Sequence, residues 1–205
     1  VGKTTLIKRM CGHRMCGDTE TTVQIDLVTR ESIYKDKTIQ IQLWDTVGQE
    51  RFTSLCQSIL RDPDCVILMY DISDINSLLN IKNKWMGFLD RLSRSNEYIS
   101  LPIILLGNKY DKYQEKIVNY NADDMIEIVH NIVNPLPGVT LYNTDDKIVR
   151  IHTTISARKG LNVEWLYDKI IEYACNYRIN VRESENQGLD LIEDRNTMHC
   201  LKCVI

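Results

Sequence analysis

The chain has 205 residues, of which 43% are hydrophobic and 26% are charged, and its formal net charge is −3. This length and composition are typical of one globular domain with a tail. The small negative charge gives no electrostatic basis for binding nucleic acid, and no apolar run is long enough to span a membrane. The seven cysteines lack the spacing of a disulfide framework or a zinc finger, which favours a reduced, cytosolic environment.

The chain opens on Val-Gly-Lys-Thr-Thr, followed by apolar residues at helical spacing that predict a helix over residues 3–10. Gly-Lys-Thr matches the second half of a phosphate-binding loop, in which the lysine contacts phosphates and the hydroxyl binds Mg²⁺. The alternative is a helix that simply begins after a glycine. We expect four residues to contact a nucleotide here: Gly2, Lys3, Thr4 and Thr5. Thr4 would also be a metal ligand.

Two alternating segments, residues 24–34 and 38–45, predict an antiparallel strand pair around a turn at 35–37. The second segment leads into W-D-T-V-G-Q-E-R-F at residues 44–52. A carboxylate at a strand end suits a metal, a glycine brings a backbone N–H close to a phosphate, and a glutamine can orient an attacking water. These roles would fall to Asp45, Gly48 and Gln49. A strand-to-loop corner with polar turn residues is the alternative.

This segment resembles switch II of the Ras-superfamily small GTPases, most closely the Rab branch, where it usually reads W-D-T-A-G-Q-E-R-F. The resemblance implies a guanine-nucleotide switch with Gln49 as the catalytic residue. It also implies that Thr22, at the position of the switch I threonine, binds Mg²⁺ and the γ-phosphate in the GTP state. The expected metal ligands are therefore Thr4, Thr22 and Asp45.

Residues 65–71 predict a strand buried on both faces, and residues 76–94 predict a helix. A short apolar run at 101–106 then ends in Gly-Asn-Lys-Tyr-Asp. A carboxylate here can accept from both N–H donors of guanine, a pair that adenine lacks, so Asp111 would select the base. By the resemblance, Asn108 braces this loop and the Lys109 stem covers the base. A solvated polar turn is the alternative reading.

Further helices are predicted at 122–133 and 163–178, with a strand at 148–154 between them. Ser156-Ala157-Arg158 resembles the family's S-A-K loop, which gives a backbone N–H to the guanine oxygen. The alternation predicts an α/β fold, a P-loop NTPase of the small G-domain type, over residues 1–178. We expect a mostly parallel sheet with helices on both faces.

Several departures from the family limit the resemblance. In the family a strand precedes the phosphate loop, but this sequence begins at Val1, inside that loop. We favour an incomplete sequence over natural truncation. Val47 replaces a small alanine, and Met15 stands where the family has an aromatic residue. An insert of about twenty residues over 134–150 predicts a β-hairpin near 139–152; lineage-specific decoration is favoured over a partner-binding edge.

The tail, residues 179–205, is polar and aperiodic and is expected to be disordered. It ends in Cys-Leu-Lys-Cys-Val-Ile, and by the resemblance Cys200 and Cys203 are candidates for prenylation and membrane attachment. A C-x-x-C metal or redox site is the alternative.

Together these features predict a Rab-like GTPase that binds GTP or GDP with Mg²⁺, hydrolyses GTP slowly and acts in vesicle transport. The implied partners are effectors, an exchange factor and a GTPase-activating protein at the switch regions, and no nucleic acid. The implied location is the cytoplasm, reversibly at the cytosolic face of an endomembrane. The alternatives are a guanine-nucleotide-binding module that no longer cycles and a P-loop kinase or ATPase, the latter disfavoured by the N-K-x-D sequence.

Overall fold

The computed structural model describes residues 1–13, 25–46, 63–85, 101–112, 151–185 and 199–204. In chain order these form α1 (Lys3–Met10), β1 (Asp26–Tyr34), β2 (Lys37–Asp45), β3 (Cys65–Asp71), α2 (Ile75–Asn80), β4 (Ile103–Asn108), β5 (Ile151–Thr154), α3 (Val163–Glu185) and β6 (His199–Val204). A π-helical segment, Ile81–Trp85, continues α2.

The described strands form one sheet in the order β1-β2-β6-β3-β4-β5. Only the β1–β2 pair is antiparallel; the other neighbours run parallel. In a parallel sheet all carboxyl ends lie at one edge, and loops at that edge hold ligands. Asp45 and Asn108 end β2 and β4, so the fold brings them to this edge.

The first helix forms as its sequence predicts. Its apolar residues Leu6, Ile7 and Met10 recur at helical spacing and are all buried. The preceding Gly2 has φ 98°, a left-handed conformation that glycine adopts readily. This conformation turns the chain into the helix at the edge of the sheet.

The β1–β2 hairpin is closed by a two-residue turn. Lys35 and Asp36 both have positive φ, 49° and 62°, which is the geometry of a type I′ turn that matches the twist of antiparallel strands. On β2, Ile39, Ile41 and Leu43 are buried in strict alternation. Period-two alternation therefore places Asp45 on the same buried face.

The central strands and α3 form the core. β3 is buried from Cys65 to Tyr70, which confirms the predicted strand buried on both faces. The long helix α3 contributes a stripe of fully buried side chains to the same core as α1 and β2, including Leu166, Ile170 and Ala174. Within the described residues, no helix is long and apolar enough to cross a membrane.

The structure corrects two expectations about the tail. Helix α3 continues beyond residue 178 to Glu185, and His199–Val204 form a strand in the middle of the sheet. Cys203 is completely buried there, and lipid attachment at Cys200 or Cys203 stays a prediction. Cys200 lies in the same strand. The predicted helix 122–133 and the insert up to residue 150 lie outside the described residues.

A pair of leucines on and beside α3 tests this packing. Leu166 is fully buried, whereas Leu161, just before the helix, is 43% exposed. Leu166→Ala removes packed methyl groups and leaves a cavity, so we expect it to lower the free energy of unfolding by about 2–5 kcal/mol. Leu161→Ala should change it by no more than about 0.5 kcal/mol. Urea unfolding measures both, and equal effects would contradict the described core.

Candidate functional site at the carboxyl edge of the sheet

The first turn of α1 lies against the end of β2. The Thr4 hydroxyl donates to Asp45 Oδ2 at 2.5 Å. Asp45 is only 2% exposed, and it follows Leu43 in the alternation that faces the core. A hydroxyl and a carboxylate therefore converge at the start of α1, as the sequence predicts for two metal ligands.

Asn108 connects three segments that are distant in sequence. Its Nδ2 donates to the Val1 carbonyl oxygen at 2.9 Å, and its Oδ1 accepts from the Ala157 N–H at 3.0 Å. The side chain is 3% exposed. One amide thus holds the chain before α1, the end of β4 and the loop after β5 in a fixed arrangement, which is the bracing role that the resemblance implies.

The approach of Asn108 requires a glycine at position 2. A Cβ built on Gly2 would lie 2.6 Å from Asn108 Nδ2, which is closer than nonbonded atoms can approach. The positive φ of Gly2 also disfavours any other residue at this position. A side chain at this position would displace the Asn108 amide from its contact with the Val1 carbonyl.

Asp111 is held by the loop that follows β5. The Ser156 hydroxyl donates to Asp111 Oδ1 at 2.6 Å, and both residues are buried. The Tyr110 N–H donates to the Ile155 carbonyl at 3.1 Å, so the backbones of the two loops are also joined. The hydrogen bond from Ser156 therefore fixes the orientation of the Asp111 carboxyl group.

Lys109 is fixed by a carboxylate at the end of β3. Its Nζ lies 2.6 Å from Asp71 Oδ2, and its backbone is left-handed with φ 69°. Burial alone would raise the pKa of Asp71, but hydrogen bonds from Lys109 and Ser73 outweigh it and leave that pKa below its ordinary value. The Asp71 carboxylate therefore stays charged and holds the lysine stem beside the loop.

Arg9 on α1 is a contact that sequence reasoning missed. Its Nε donates to the Ala157 carbonyl at 3.2 Å, and its Nη2 donates to the Arg158 carbonyl. The arginine therefore ties the loop at 156–158 to α1. In the sequence, Arg9 is a charged residue next to the buried apolar residues of α1. That pattern does not indicate a partner about 150 residues away.

Most of the predicted site residues described by the structure meet at this edge. Asn108 contacts the chain before α1 and the loop at 156–158, and Asp111 contacts the same loop. Thr4 meets Asp45, with Lys3 and Thr5 on the same helical turn. Three predicted residues lie outside the described residues: Thr22, Gly48 and Gln49.

Comparison with known proteins agrees with this arrangement. The sequence profile described as the Ras family matches residues 1–176. The chain belongs to the Ras family. The fold of this Ras-family chain thus agrees with the likeness first seen in the W-D-T-V-G-Q-E-R-F segment.

Several of the relatives that the chain matches are Rab-type proteins. The chain is 38% identical over 116 residues to the Ypt/Rab-type GTPase ypt7 of Schizosaccharomyces pombe, covering 57% of this chain and 56% of that protein. It is 38% identical over 111 residues to the Ras-related protein RABG3b of Arabidopsis thaliana, covering 54% of each. It is 37% identical over 111 residues to the Ras-related protein Rab7 of Cenchrus ciliaris, covering 54% of this chain and 53% of that protein. The chain thus spans about half the length of these relatives.

The bracing role of Asn108 can be tested without any ligand. Asn108→Ala leaves the buried Ala157 N–H and the partly buried Val1 carbonyl without this partner, so we expect a loss of about 1–3 kcal/mol in unfolding free energy. The matched control is Asn176→Ala, which removes a single partly buried bond from the Tyr34 hydroxyl and should cost about 1 kcal/mol or less. Thermal unfolding of the nucleotide-free proteins measures both. A smaller loss for Asn108→Ala than for the control would contradict the arrangement.

Proposed function

We propose that this chain is a Rab-like guanine-nucleotide switch that binds GTP and GDP and hydrolyses GTP. The observation that carries the proposal is the convergence of Asn108, Asp111 and the loop at 156–158. A fixed, buried carboxylate can accept from the two adjacent N–H donors of guanine. By the resemblance, a backbone N–H of the loop at 156–158 would donate to the guanine carbonyl oxygen. Adenine would leave the Asp111 carboxylate without those donors.

The phosphates would lie at the start of α1. The first N–H groups of a helix have no partner within the helix and attract an anion, and Lys3 adds a positive charge at the same place. Gly2 keeps the backbone close to Asn108, so the phosphate and base subsites are held at a fixed separation.

The donor set at Thr4 and Asp45 fits Mg²⁺. Both supply hard oxygen ligands, which this ion prefers, and their oxygens lie 2.5 Å apart. The described residues hold no cluster of three or more histidine, cysteine, aspartate or glutamate side chains. A site with few protein ligands is what Mg²⁺ uses when phosphates and water complete its shell. When bound, the ion would neutralise charge on the phosphates.

The switch role follows from the resemblance to the Rab branch. Thr22 and Gln49 would respond to the γ-phosphate and orient the water, and partners would recognise the segments that carry them. We infer that these partners are effectors, an exchange factor and a GTPase-activating protein, and that the chain acts in vesicle transport at the cytosolic face of an endomembrane. Val47, beside the switch glycine, should make unassisted hydrolysis slow.

Base selection is tested by Asp111→Asn, which replaces a double acceptor by a side chain with one acceptor. We expect the affinity for GDP to fall at least about 10-fold, because hydrogen bonds to a charged group are lost. The matched control is Asp36→Asn in the exposed hairpin turn, where asparagine tolerates the positive φ of 62°. Titration with GDP and ADP measures the effect. Tighter binding of ADP than of GDP by the unaltered chain would contradict the proposal and favour an ATPase or kinase.

Hydrolysis is tested by single-turnover measurement at saturating Mg²⁺. Gln49→Leu removes the group that would orient the water, and we expect the rate to fall at least about 10-fold with little change in GTP affinity. Gln40→Leu on β2, away from the carboxyl edge, is the matched control and should leave the rate unchanged. Tight GTP binding with a rate unaffected by Gln49→Leu would favour a binding module that no longer cycles.

A further inference from the structure

Arg9 donates hydrogen bonds to two successive carbonyl groups of the loop after β5. Its Nε donates to the Ala157 carbonyl at 3.2 Å, and its Nη2 donates to the Arg158 carbonyl. A guanidinium group carries its donors in one rigid plane. Two bonds from this plane to neighbouring carbonyls therefore fix the orientation of two peptide groups in the loop.

The position of Arg9 is itself fixed by the burial of α1. The apolar side chains of the same helix, Leu6, Ile7 and Met10, are at most 2% exposed. The Arg30 guanidinium donates to the Met10 carbonyl and holds the end of the helix. A rotation of α1 would bring its apolar stripe out of the core, so Arg9 acts on the loop from a fixed support.

A continuous chain of hydrogen bonds leads from Arg9 to Asp111. The Arg158 carbonyl, which accepts from Arg9, shares its peptide group with the Lys159 N–H. That N–H donates to Ser156 Oγ at 3.1 Å. The Ser156 hydroxyl in turn donates to Asp111 Oδ1 at 2.6 Å. Hydrogen bonds in such a chain strengthen one another, so the orientation of the carboxyl group depends on each of them.

The other carbonyl that Arg9 holds belongs to a residue that also contacts Asn108. Ala157 accepts from Arg9 through its carbonyl and donates through its N–H to Asn108 Oδ1 at 3.0 Å. Both backbone groups of this residue are therefore held, one from α1 and one from the end of β4. Arg9 thus supports both parts of the proposed base subsite, the Asp111 carboxyl group and the loop at 156–158.

The loop is closed tightly beside the Arg9 side chain. The Ser156 N–H donates to the Leu161 carbonyl at 3.2 Å, and the Leu161 N–H donates to the Ser156 carbonyl at 3.1 Å. Gly160, with φ 78°, makes the turn between them. A Cβ built on Gly160 would lie 3.7 Å from Arg9 Cδ, so the arginine stem runs along this turn.

We propose that Arg9 is a positioning residue for guanine recognition. It orients the Asp111 carboxyl group and the loop at 156–158 toward the base, and it acts through these groups rather than on the nucleotide itself. The inference rests on the proposed function and adds to it a residue of α1, the helix whose start would hold the phosphates. The part of the affinity that depends on the base is therefore expected to depend on Arg9.

The test is Arg9→Met, which keeps an unbranched side chain and removes every donor. Titration calorimetry in the presence of Mg²⁺ compares GDP with purine riboside diphosphate, whose base lacks the carbonyl oxygen and both N–H donors of guanine. We expect Arg9→Met to weaken GDP binding at least about 10-fold and to change binding of the purine nucleotide by less than about 3-fold. The loss should fall on GDP because only guanine uses the groups that Arg9 orients.

Lys8→Met is the matched control. Lys8 is exposed in the same turn of α1, and its replacement removes the same charge from the same end of the helix. We expect it to leave the affinity for both nucleotides within about 2-fold of the unaltered chain, since surface substitutions away from specific contacts have small effects.

Arg9→Lys keeps the charge but offers one ammonium group in place of the planar pair of donors. We expect an intermediate loss of GDP affinity, again without an equal loss for the purine nucleotide. Thermal unfolding shows whether each variant is folded. If Arg9→Met does not fold, Arg9→Lys decides the question by the same comparison of the two nucleotides.

The remaining outcomes separate this inference from the proposed function. An equal loss for both nucleotides would show that Arg9 only supports the fold, and an unchanged affinity for GDP would show that it supports neither part of the subsite. Either result would overturn the inference and leave the proposed function standing. Unaltered chain that binds GDP no more tightly than purine riboside diphosphate would overturn the proposed function and this inference with it.

Discussion

The side-chain amide of Asn108 is the constraint on which the site depends. It donates to the carbonyl before α1 and accepts from the loop after β5, and it is buried while doing so. Both of its polar atoms are needed, because a buried donor or acceptor without a partner costs more than the bond itself contributes. The absence of a side chain at Gly2 allows this contact, and Arg9 repeats the connection on the other side of the loop. The base and phosphate subsites are therefore parts of one hydrogen-bonded unit.

This unit is rigid because the sheet beneath it is continuous. Asp45 and Asn108 end strands in different halves of the sheet, and β6 joins those halves. Asp64 holds β6 through its backbone, and the ion pair with Arg178 offsets the cost of burying that carboxylate. Preorganisation of this kind lowers the ordering cost of binding.

Local patterns predicted most of the fold and the proximity of several candidate site residues, whose roles toward a nucleotide stay predictions. The helical spacing of Leu6, Ile7 and Met10 and the alternation on β2 each determine a buried face, so α1 and the hairpin form where expected. Motif order correctly brought Asn108 and Asp111 to one edge. The prediction of disorder was wrong for residues 199–204. A polar, aperiodic segment gives no local signal for a strand whose pairing partners lie more than 130 residues away. Arg9 was missed for the same reason, since its partners are carbonyl groups of a distant loop.

The central claim is that the carboxyl edge binds a guanine nucleotide. The most direct measurement is to purify the full chain in the presence of Mg²⁺, denature it and identify the released nucleotide by chromatography and mass spectrometry. The account predicts a stoichiometric amount of GDP or GTP, because a buried, preorganised site of this kind should retain its ligand through purification. Release of adenine nucleotides, or of none together with no binding on addition of GDP, would contradict it.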